Sequence, residues 1–258
     1  MIISVIQARM GSSRLPGKVM KEAAGIPLIS HLLSRLKKSE LIDVIVIATS
    51  DNIENKPMIS YLESKGYEVF KGSEEDVLDR FYQALKNKKA DVVVRITGDC
   101  PLIDYKAVDF VISEFKKRKV DYLGCGKSFP EGYGSEVFTF KSLEQAWQRA
   151  VLRSEREHVT PYIWKHPEIF RVQKLDMAKD YSHIRVTVDE PEDFTVVKAI
   201  FENFYPKKGE DFFLEDIADY LENHRDIYNI NKHVIRNEGY LKSLKEDKVI
   251  NNNNYKDG

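Results

Sequence analysis

Cysteine is scarce in this sequence, which contains only Cys100 and Cys125 among its 258 residues. Two cysteines cannot form a disulfide framework, and such sparse use suits a reducing cytoplasm. Long apolar runs are missing as well, since no stretch approaches the ~18 consecutive apolar residues of a membrane-spanning helix. Met1 is not followed by the basic start and apolar stretch of an export signal. We therefore expect a cytoplasmic protein that has no membrane partner.

The chain also lacks an excess of charge of either sign. Its 40 Lys and Arg residues nearly balance 41 Asp and Glu residues, for a formal net charge of −1. Nucleic-acid binding usually requires a basic surface, so we expect no nucleic acid among the partners. The 42% hydrophobic and 31% charged residues are typical of a globular enzyme.

Several familiar site motifs are absent too. Neither the phosphate-binding pattern GxxxxGK[ST] nor the dinucleotide-binding pattern GxGxxG occurs. The six histidines are scattered without metal-ligand spacing, and no Ser-His-Asp or Cys-His arrangement has a convincing context. The sequence therefore predicts neither a histidine-based metal site nor a catalytic triad.

Short apolar runs alternate with amphipathic ones over the first two-thirds of the chain. The apolar runs are rich in β-branched residues without polar alternation, which predicts strands buried on both faces. These predicted strands are Ile2–Ala8, Val44–Thr49, Tyr67–Phe70, Val92–Ile96 and Val120–Leu123. The predicted helices between them are Leu28–Lys38, Lys56–Lys65, Val77–Lys86 and Ala107–Lys117. The alternation predicts an α/β fold with a mostly parallel sheet and helices on both faces.

The regular alternation of predicted strands and helices ends after Gly124. We expect an inserted arm at about 127–140 that ends in a strand at Val137–Phe140. The further predicted elements are helices Leu143–Val151, Glu155–Trp164, Pro191–Phe204, Leu214–Asn223 and Tyr240–Lys245, and strands Phe170–Leu175 and Ile184–Val188. No linker divides the chain, so we expect one domain over 1–245 and a polar tail over 246–258.

The loop after the first predicted strand carries the strongest indication of a ligand site. Ligands of open α/β sheets bind at the carboxyl ends of the strands. This loop combines small residues, which let backbone N–H groups approach oxyanions, with cations that neutralise phosphate charge. These residues are Gly11, Ser12, Ser13 and Gly17, and Arg9, Arg14 and Lys18. The combination favours a phosphate-binding loop over a solvated basic turn.

Two aspartates each follow another predicted strand. Asp99 comes after Gly98 at the end of one strand, and Asp189 ends the strand that begins at Ile184. Asp99 alone could also cap a turn, and Asp189 could also open the helix that starts at Pro191. As a pair, the two carboxylates form a credible Mg²⁺ site.

The motifs together resemble one enzyme superfamily. ARMGSSRLPGK at 8–18 resembles the ARxxSxRLPxK opening of the 3-deoxy-manno-octulosonate and acylneuraminate cytidylyltransferases. The chain is more similar still to the spore coat polysaccharide biosynthesis protein F branch. The segments that carry this resemblance are GSEEDVLDRFYQAL at 72–85, RITGDCPLID at 95–104, EREHVTPYI at 155–163, VTVDEPEDF at 186–194 and RNEGYLKSL at 236–244.

The resemblance implies a fold and a reaction. The fold would be the Rossmann-like nucleotide-diphospho-sugar transferase (GT-A-like) fold, with the arm helping to form a homodimer. The reaction would move CMP from CTP onto an acidic sugar or related acceptor, with Mg²⁺ as cofactor and pyrophosphate as the other product. It implies nucleotide contacts near the base, sugar and phosphates at Ala8, Arg9, Gly11, Ser12, Ser13, Arg80, Thr97 and Gly98. It also implies phosphate-gripping catalytic roles for Arg14 and Lys18, beside the metal ligands Asp99 and Asp189.

The acceptor side differs from the relatives. Residues 130–137 stand where they often show Asp-Gly-Leu-Asp-Val-Glu-Val, and this chain departs from that pattern at Glu131 and at Gly134-Ser135. We expect acceptor contacts at Glu131, Glu136, Arg156 and His158, although His158 could equally be a core or cap residue. Two alternatives stay open at this point, a GT-A-like glycosyltransferase, which would want an Asp-x-Asp pair, and a non-catalytic nucleotide-binding protein.

Overall fold

The computed structural model describes residues 1–250 and has a seven-stranded sheet at its centre. The strands of this sheet are β1 (Ile2–Gln7), β4 (Val44–Ser50), β5 (Glu68–Gly72), β6 (Val92–Thr97), β7 (Tyr122–Cys125), β8 (Glu136–Thr139) and β9 (Val172–Leu175), while β2 (Glu22–Ala23) and β3 (Ile26–Pro27) form a separate antiparallel pair. The order is β5-β4-β1-β6-β8-β7-β9, and among these seven β8 alone runs antiparallel to its neighbours. Residues 251–258 of the predicted tail lie outside the described residues.

Eleven α-helices surround the sheet within residues 1–250. They are α1 (Leu28–Leu36), α2 (Lys56–Ser64), α3 (Val77–Leu85), α4 (Tyr105–Arg118), α5 (Phe140–Arg149), α6 (Arg153–His158), α7 (Pro161–Lys165), α8 (Pro191–Lys208), α9 (Leu214–Asn223), α10 (Arg225–Asn229) and α11 (Glu238–Lys245). No helix within this range is both long and apolar enough to span a bilayer.

The core confirms the predicted α/β class with helices on both faces of a mostly parallel sheet. Ile2 and Ile6 of β1 pack with α1, α2 and α4, whereas Ile3 and Val5 pack with α3, α5 and α7 on the other face. Both faces of β1 are therefore buried, which explains why its sequence is apolar apart from Ser4 and Gln7. A third cluster joins α8 and α9 to the buried residues of 184–188.

The predicted strand at Ile184–Val188 is wrong. These residues form an extended segment whose only bridge within the described chain joins Arg185 to Glu131. The backbone N–H of Val188 donates to the Asp99 carbonyl at 2.8 Å, so the segment is fastened to the end of β6 instead of to a strand. Its alternating apolar residues are buried against α8 and α9, and this burial produces the strand-like pattern.

The single helix predicted at Glu155–Trp164 is also wrong. Val159 has a φ of 72°, and this left-handed residue separates α6 from α7. Pro161 then occupies the first turn of α7, where its missing N–H costs no hydrogen bond.

The segment predicted as an arm, 127–140, lies within the fold of the chain. β8 is inserted between β6 and β7, and Phe129 and Tyr133 are only 2% and 1% exposed. The Tyr133 hydroxyl donates to Asp104 Oδ2 at 2.8 Å. Packing within the chain therefore accounts for the apolar residues that favoured an arm, and the homodimer stays a prediction.

Gly132 holds this segment against the extended residues 184–188. Its φ is +88°, and a Cβ atom there would lie 2.2 Å from the backbone nitrogen of Thr187. Both the conformation and the space at this position therefore require glycine.

We predict that Gly132→Ala destabilises the protein more than Gly25→Ala does. Gly25 has a similar φ of +75° but open space around it, so alanine there should cost about 1–2 kcal/mol for the left-handed backbone alone. Gly132→Ala should lose at least about 2 kcal/mol more, because the backbone of Thr187 has to move. Urea denaturation measures both values, and equal losses would contradict the close packing.

Candidate active site

One large cleft opens where the carboxyl ends of β1 and β6 meet. It encloses about 890 Å³, a volume at the upper end of small-molecule sites. The segments that border it are the loop after β1, the turn after β6, residues 125–136, the extended residues 185–189 and residues 235–240.

Gly98 allows the ends of β1 and β6 to approach each other closely. Its N–H donates to the Gln7 carbonyl at 2.8 Å. A Cβ atom on Gly98 would lie 2.8 Å from Cβ of Ala8 and 3.0 Å from that carbonyl oxygen. Ala8, Thr97 and Gly98 thus form the tightly packed floor of the cleft.

The loop after β1 is folded onto the protein. Asn55 Oδ1 accepts from the N–H of Met10 at 2.7 Å, and the N–H of Gly17 donates to the Met10 carbonyl at 2.9 Å. Leu15 is buried in the third cluster and anchors the middle of the loop. Gly11 packs beside Glu54, and the loop residues that line the cleft are Arg9, Ser12, Ser13, Arg14 and Lys18.

Lys18 joins the two predicted metal ligands. Its Nζ atom donates to Asp99 Oδ2 at 3.2 Å and to Asp189 Oδ1 at 2.8 Å. Because both oxygens contact the same nitrogen atom, Asp99 Oδ2 and Asp189 Oδ1 lie near each other. Arg14 adds a second cation, with its NH2 atom 3.2 Å from Asp189 Oδ1. The sequence-based prediction that these loops converge at one edge is met by this geometry.

The charges at this edge stabilise one another. Burial raises the pKa of Asp99, but the Lys18 charge and the hydrogen bonds from Thr97, Lys18 and Cys100 outweigh it and bring the pKa to about 2. Burial lowers the pKa of Lys18, and the two carboxylates more than reverse that effect. Asp99 is therefore ionised at neutral pH and Lys18 is protonated.

Asp189 is held by residues to which the sequence analysis assigned no role. Arg185 binds both oxygens of Asp193 at 2.8 Å and contacts Glu131 at 2.6 Å. Asp193 Oδ2 in turn accepts from the N–H groups of Asp189 and Glu190 at 3.0 Å. The Asp-x-x-x-Asp spacing at the start of a helix was the available signal, since acids are favoured at a helix N-terminus.

Two arginines lie at the end of the cleft beyond Ser12. Arg9 pairs with Glu74, and Arg80 donates to the Ser73 carbonyl at 2.8 Å. Arg80 is 2% exposed, and its Nε atom makes no hydrogen bond within the described residues. Burial, together with the charge of Arg9, lowers the pKa of Arg80 to about 10. This end of the cleft has donor capacity left for an anionic or carbonyl oxygen.

The cleft also contains two of the predicted acceptor residues, Glu136 and His158. Glu136 accepts from Tyr122, from Arg95 and, at 2.7 Å, from Thr160 Oγ1. His158 Nε2 lies 2.9 Å from Ser243 Oγ. Burial lowers the pKa of His158 to about 4, so the ring is neutral at pH 7.

Glu131 lines the cleft, but its carboxylate is engaged. One oxygen is 2.6 Å from Arg185 and the other accepts from the N–H of Asn237 at 2.8 Å. Arg156, in contrast, is not brought into the cleft. It is 1% exposed, and it donates to Asp76, the N-cap of α3, at 2.6–3.0 Å. We therefore correct the expected acceptor contact at Arg156 to a contact that joins α6 to α3.

The wall formed by 235–240 is a second feature that the sequence analysis left without a role. Ile235 to Tyr240 all line the cleft, and Glu238 lies 3.0 Å from Arg14. The motif at 236–244 was noted only as part of a resemblance, because nothing in it indicates which side of the fold it covers.

Comparison with known proteins agrees with this geometry. The sequence pattern of the cytidylyltransferase family matches residues 3–243. An uncharacterised protein of Methanocaldococcus jannaschii is 40% identical over 90% of this chain and 95% of its own. The spore coat polysaccharide biosynthesis protein SpsF of Bacillus subtilis is 35% identical over 81% of this chain and 88% of its own. A solved cytidylyltransferase of Leptospira borgpetersenii is 31% identical, with a TM-score of 0.82 over 88% of this chain and 96% of that one. The chain thus belongs to the cytidylyltransferase family and is a nucleotidyltransferase.

Proposed function

We propose that this chain transfers CMP from CTP to an acidic sugar, or to a related acid or phosphate acceptor, and releases pyrophosphate. The observation that carries the proposal is the meeting of Arg14, Lys18, Asp99 and Asp189 at one edge of the sheet. Membership of the cytidylyltransferase family supports CTP as the donor. The name of the Bacillus subtilis relative supports a role in precursor synthesis for a surface polysaccharide or glycoconjugate.

The nucleotide would bind over the floor at Gly98 and the loop after β1. Arg14 and Lys18 would bind the triphosphate, and Arg9 and Arg80 would face the remainder of the nucleotide. Fixed cations stabilise the charge that develops as pyrophosphate departs, and a folded loop needs little reorganisation to present them.

The donor set at Asp99 and Asp189 fits Mg²⁺. Within residues 1–250 no cluster of three or more His, Cys, Asp or Glu side chains could hold a metal. Mg²⁺ commonly takes only one or two protein carboxylates, however, and completes its shell with water and phosphate oxygens. The two aspartates already share one cation, the Lys18 ammonium, and this supports the proposal that they could share a metal ion. The ion would supply charge neutralisation at the phosphates, and Lys18 would turn from the aspartates to the phosphate oxygens.

The acceptor would lie between Asp189 and the end of the cleft that contains Glu136 and His158. An acidic acceptor brings its own negatively charged oxygen, so the site needs to orient that oxygen rather than deprotonate it. Neutral His158 would contribute a hydrogen bond, and Arg95, which lines the same end, a positive charge.

The proposal is tested by mixing the protein with Mg²⁺, one nucleoside triphosphate and a panel of acidic sugars, and by measuring pyrophosphate. CTP should release pyrophosphate, and ATP, GTP and UTP serve as matched controls. Thermal shift reports binding separately, because a ligand at 100 times its Kd stabilises by about 2.7 kcal/mol. If no triphosphate stabilises the protein or releases pyrophosphate, the proposal is wrong.

We predict that Arg14→Ala and Lys18→Ala each lower turnover by about a hundredfold. Each change removes a charge-assisted phosphate contact that strengthens in the transition state, which is worth about 3 kcal/mol. Steady-state kinetics give the loss, and circular dichroism checks the fold. Arg171→Ala is the matched control, because Arg171 pairs with Asp121 on the exposed surface away from the cleft. Wild-type turnover in both loop variants would refute the assignment.

We also predict that Asp99→Asn and Asp189→Asn each lower turnover at least about a hundredfold and add little when combined. The two carboxylates act as one ligand set, so losing either removes most of its effect. The double-mutant cycle is measured at saturating Mg²⁺, with Asp211→Asn as the control at an exposed ion pair. Fully additive losses would show that the aspartates act independently.

The low pKa of His158 predicts a pH dependence of stability. Between about pH 4 and the ordinary histidine pKa near 6.5, the His158 ring binds a proton in the unfolded chain but not in the folded protein. The free energy of unfolding should therefore rise with pH over this window, and His158→Asn should flatten that part of the curve. Urea denaturation from pH 4 to 7 measures it, and an NMR titration of the ring with a midpoint near 6.5 would contradict it.

A further inference from the structure

The C-terminal helix α11 lies outside the core of the protein. It contains no buried residue, and it packs against α6 and, through Tyr240, against Trp164 of α7. Nevertheless, Ile235 to Tyr240, which include its first turn, form one wall of the cleft. The position of this wall is therefore set by polar contacts and by the ring contacts of Tyr240, and not by burial in the core.

These polar contacts lie at both ends of the segment and at Ser243 within α11, whose hydroxyl lies 2.9 Å from His158 Nε2 and 3.2 Å from Glu157 Oε2. After the helix, Asp247 accepts from the N–H and the hydroxyl of Ser154 at 3.0 and 2.7 Å. Before it, Arg236 donates to the Phe129 carbonyl at 3.0 Å, and the N–H of Asn237 donates to Glu131. The segment is thus fastened on the two sides of the cleft and lies between them.

Glu238 joins this segment to the loop after β1. Its Oε2 atom lies 3.0 Å from NH1 of Arg14, which is also 2.9 Å from Glu190 Oε1, while NH2 of Arg14 is 3.2 Å from Asp189. Asp189 and Glu190 are held in place through their N–H groups by Asp193. The Glu238 side chain is 49% exposed, so among these three carboxylates it is the one that can leave Arg14 most easily.

We propose that Glu238 occupies the position on Arg14 that a phosphate group of the nucleotide takes, so that nucleotide binding releases residues 238–245, between the contacts at Arg236 and Asn237 and the contact at Asp247, and opens the acceptor end of the cleft. This inference rests on the proposed function, since it requires the triphosphate to bind Arg14. A guanidinium binds phosphate oxygens through two parallel charge-assisted hydrogen bonds, whereas an exposed ion pair contributes little. A phosphate and a carboxylate on the same N–H groups also repel each other.

Release at Glu238 would be transmitted directly to the acceptor end. Tyr240, two residues later in the first turn of α11, contacts the rings of His158 and Trp164 at centroid distances of 5.0 and 5.8 Å. Both rings line the cleft. When Glu238 leaves Arg14, Tyr240 moves away from these rings, and the space that they border becomes open to an acceptor.

The test compares Glu238→Gln with Glu246→Gln. Glu246 follows the same helix, is exposed and does not line the cleft, so it controls for the loss of one negative charge. Isothermal titration with inorganic triphosphate and Mg²⁺, and then with CTP and Mg²⁺, measures affinity. We expect Glu238→Gln to bind each ligand about threefold more tightly than wild type, the size expected for removing one exposed ion pair, and Glu246→Gln to bind as wild type does.

Hydrogen exchange gives a second readout. Amides of 238–245 should exchange faster in wild type when triphosphate is bound, and Glu238→Gln should show that faster exchange without ligand. Unchanged or weaker binding by Glu238→Gln, or slower exchange on binding, would overturn the inference and leave the proposed function intact. Absence of triphosphate and CTP binding in wild type would overturn the proposed function and the inference together.

Discussion

A single ammonium group between two carboxylates organises the functional end of this protein. Lys18 contacts Asp99, 81 positions later, and Asp189, 171 positions later. Two partly buried carboxylates that face each other would repel. The cation between them removes that repulsion, so the loop after β1, the end of β6 and the extended residues before α8 can meet at one point. The chemistry proposed for the site uses the same charges that hold these segments together.

A second set of charged residues, centred on Arg185, supports this arrangement. Arg185 lies between Glu131, Asp189 and Asp193, and Asn231 donates to both Asp193 and the Arg185 carbonyl. Because buried charges are tolerated only when they are paired and hydrogen-bonded, every member of this network depends on the others. The network replaces the backbone ladder that a strand at 184–188 would have supplied, and it fixes Asp189 without placing it on the sheet.

Much of the fold and part of the site follow from local sequence. The runs at β1, β4 and β6 are largely apolar on both faces, and the cations and small residues after β1 stand where open sheets bind ligands, so the central strands and the position of this loop at the cleft could be predicted. The segment at 184–188 could not be separated from a strand, because alternate burial against helices gives the same pattern as alternate burial in a sheet. The role of Arg156 could not be predicted for a different reason. In the sequence, an arginine that joins two helices cannot be distinguished from one that binds a substrate, and only the structure shows Asp76 beside it. The wall from the C-terminal segment depends on contacts more than a hundred positions apart, for which the sequence has no local signal.

The antiparallel insertion of β8 has a consequence for how this site can diversify. In the ladder between β6 and β8, Arg95 stands opposite Glu136, and two residues further along β6 lies Thr97, at the floor beneath Asp99. Strand β6 therefore contributes to the floor of the cleft through Thr97 and positions Glu136 through its pairing with β8. A slip of one residue in the β6–β8 register would turn Glu136 to the opposite face of the sheet. New acceptor preferences are therefore accessible mainly through the residues 127–135 and through the C-terminal segment, which can change in length and sequence while the shared strand stays in register.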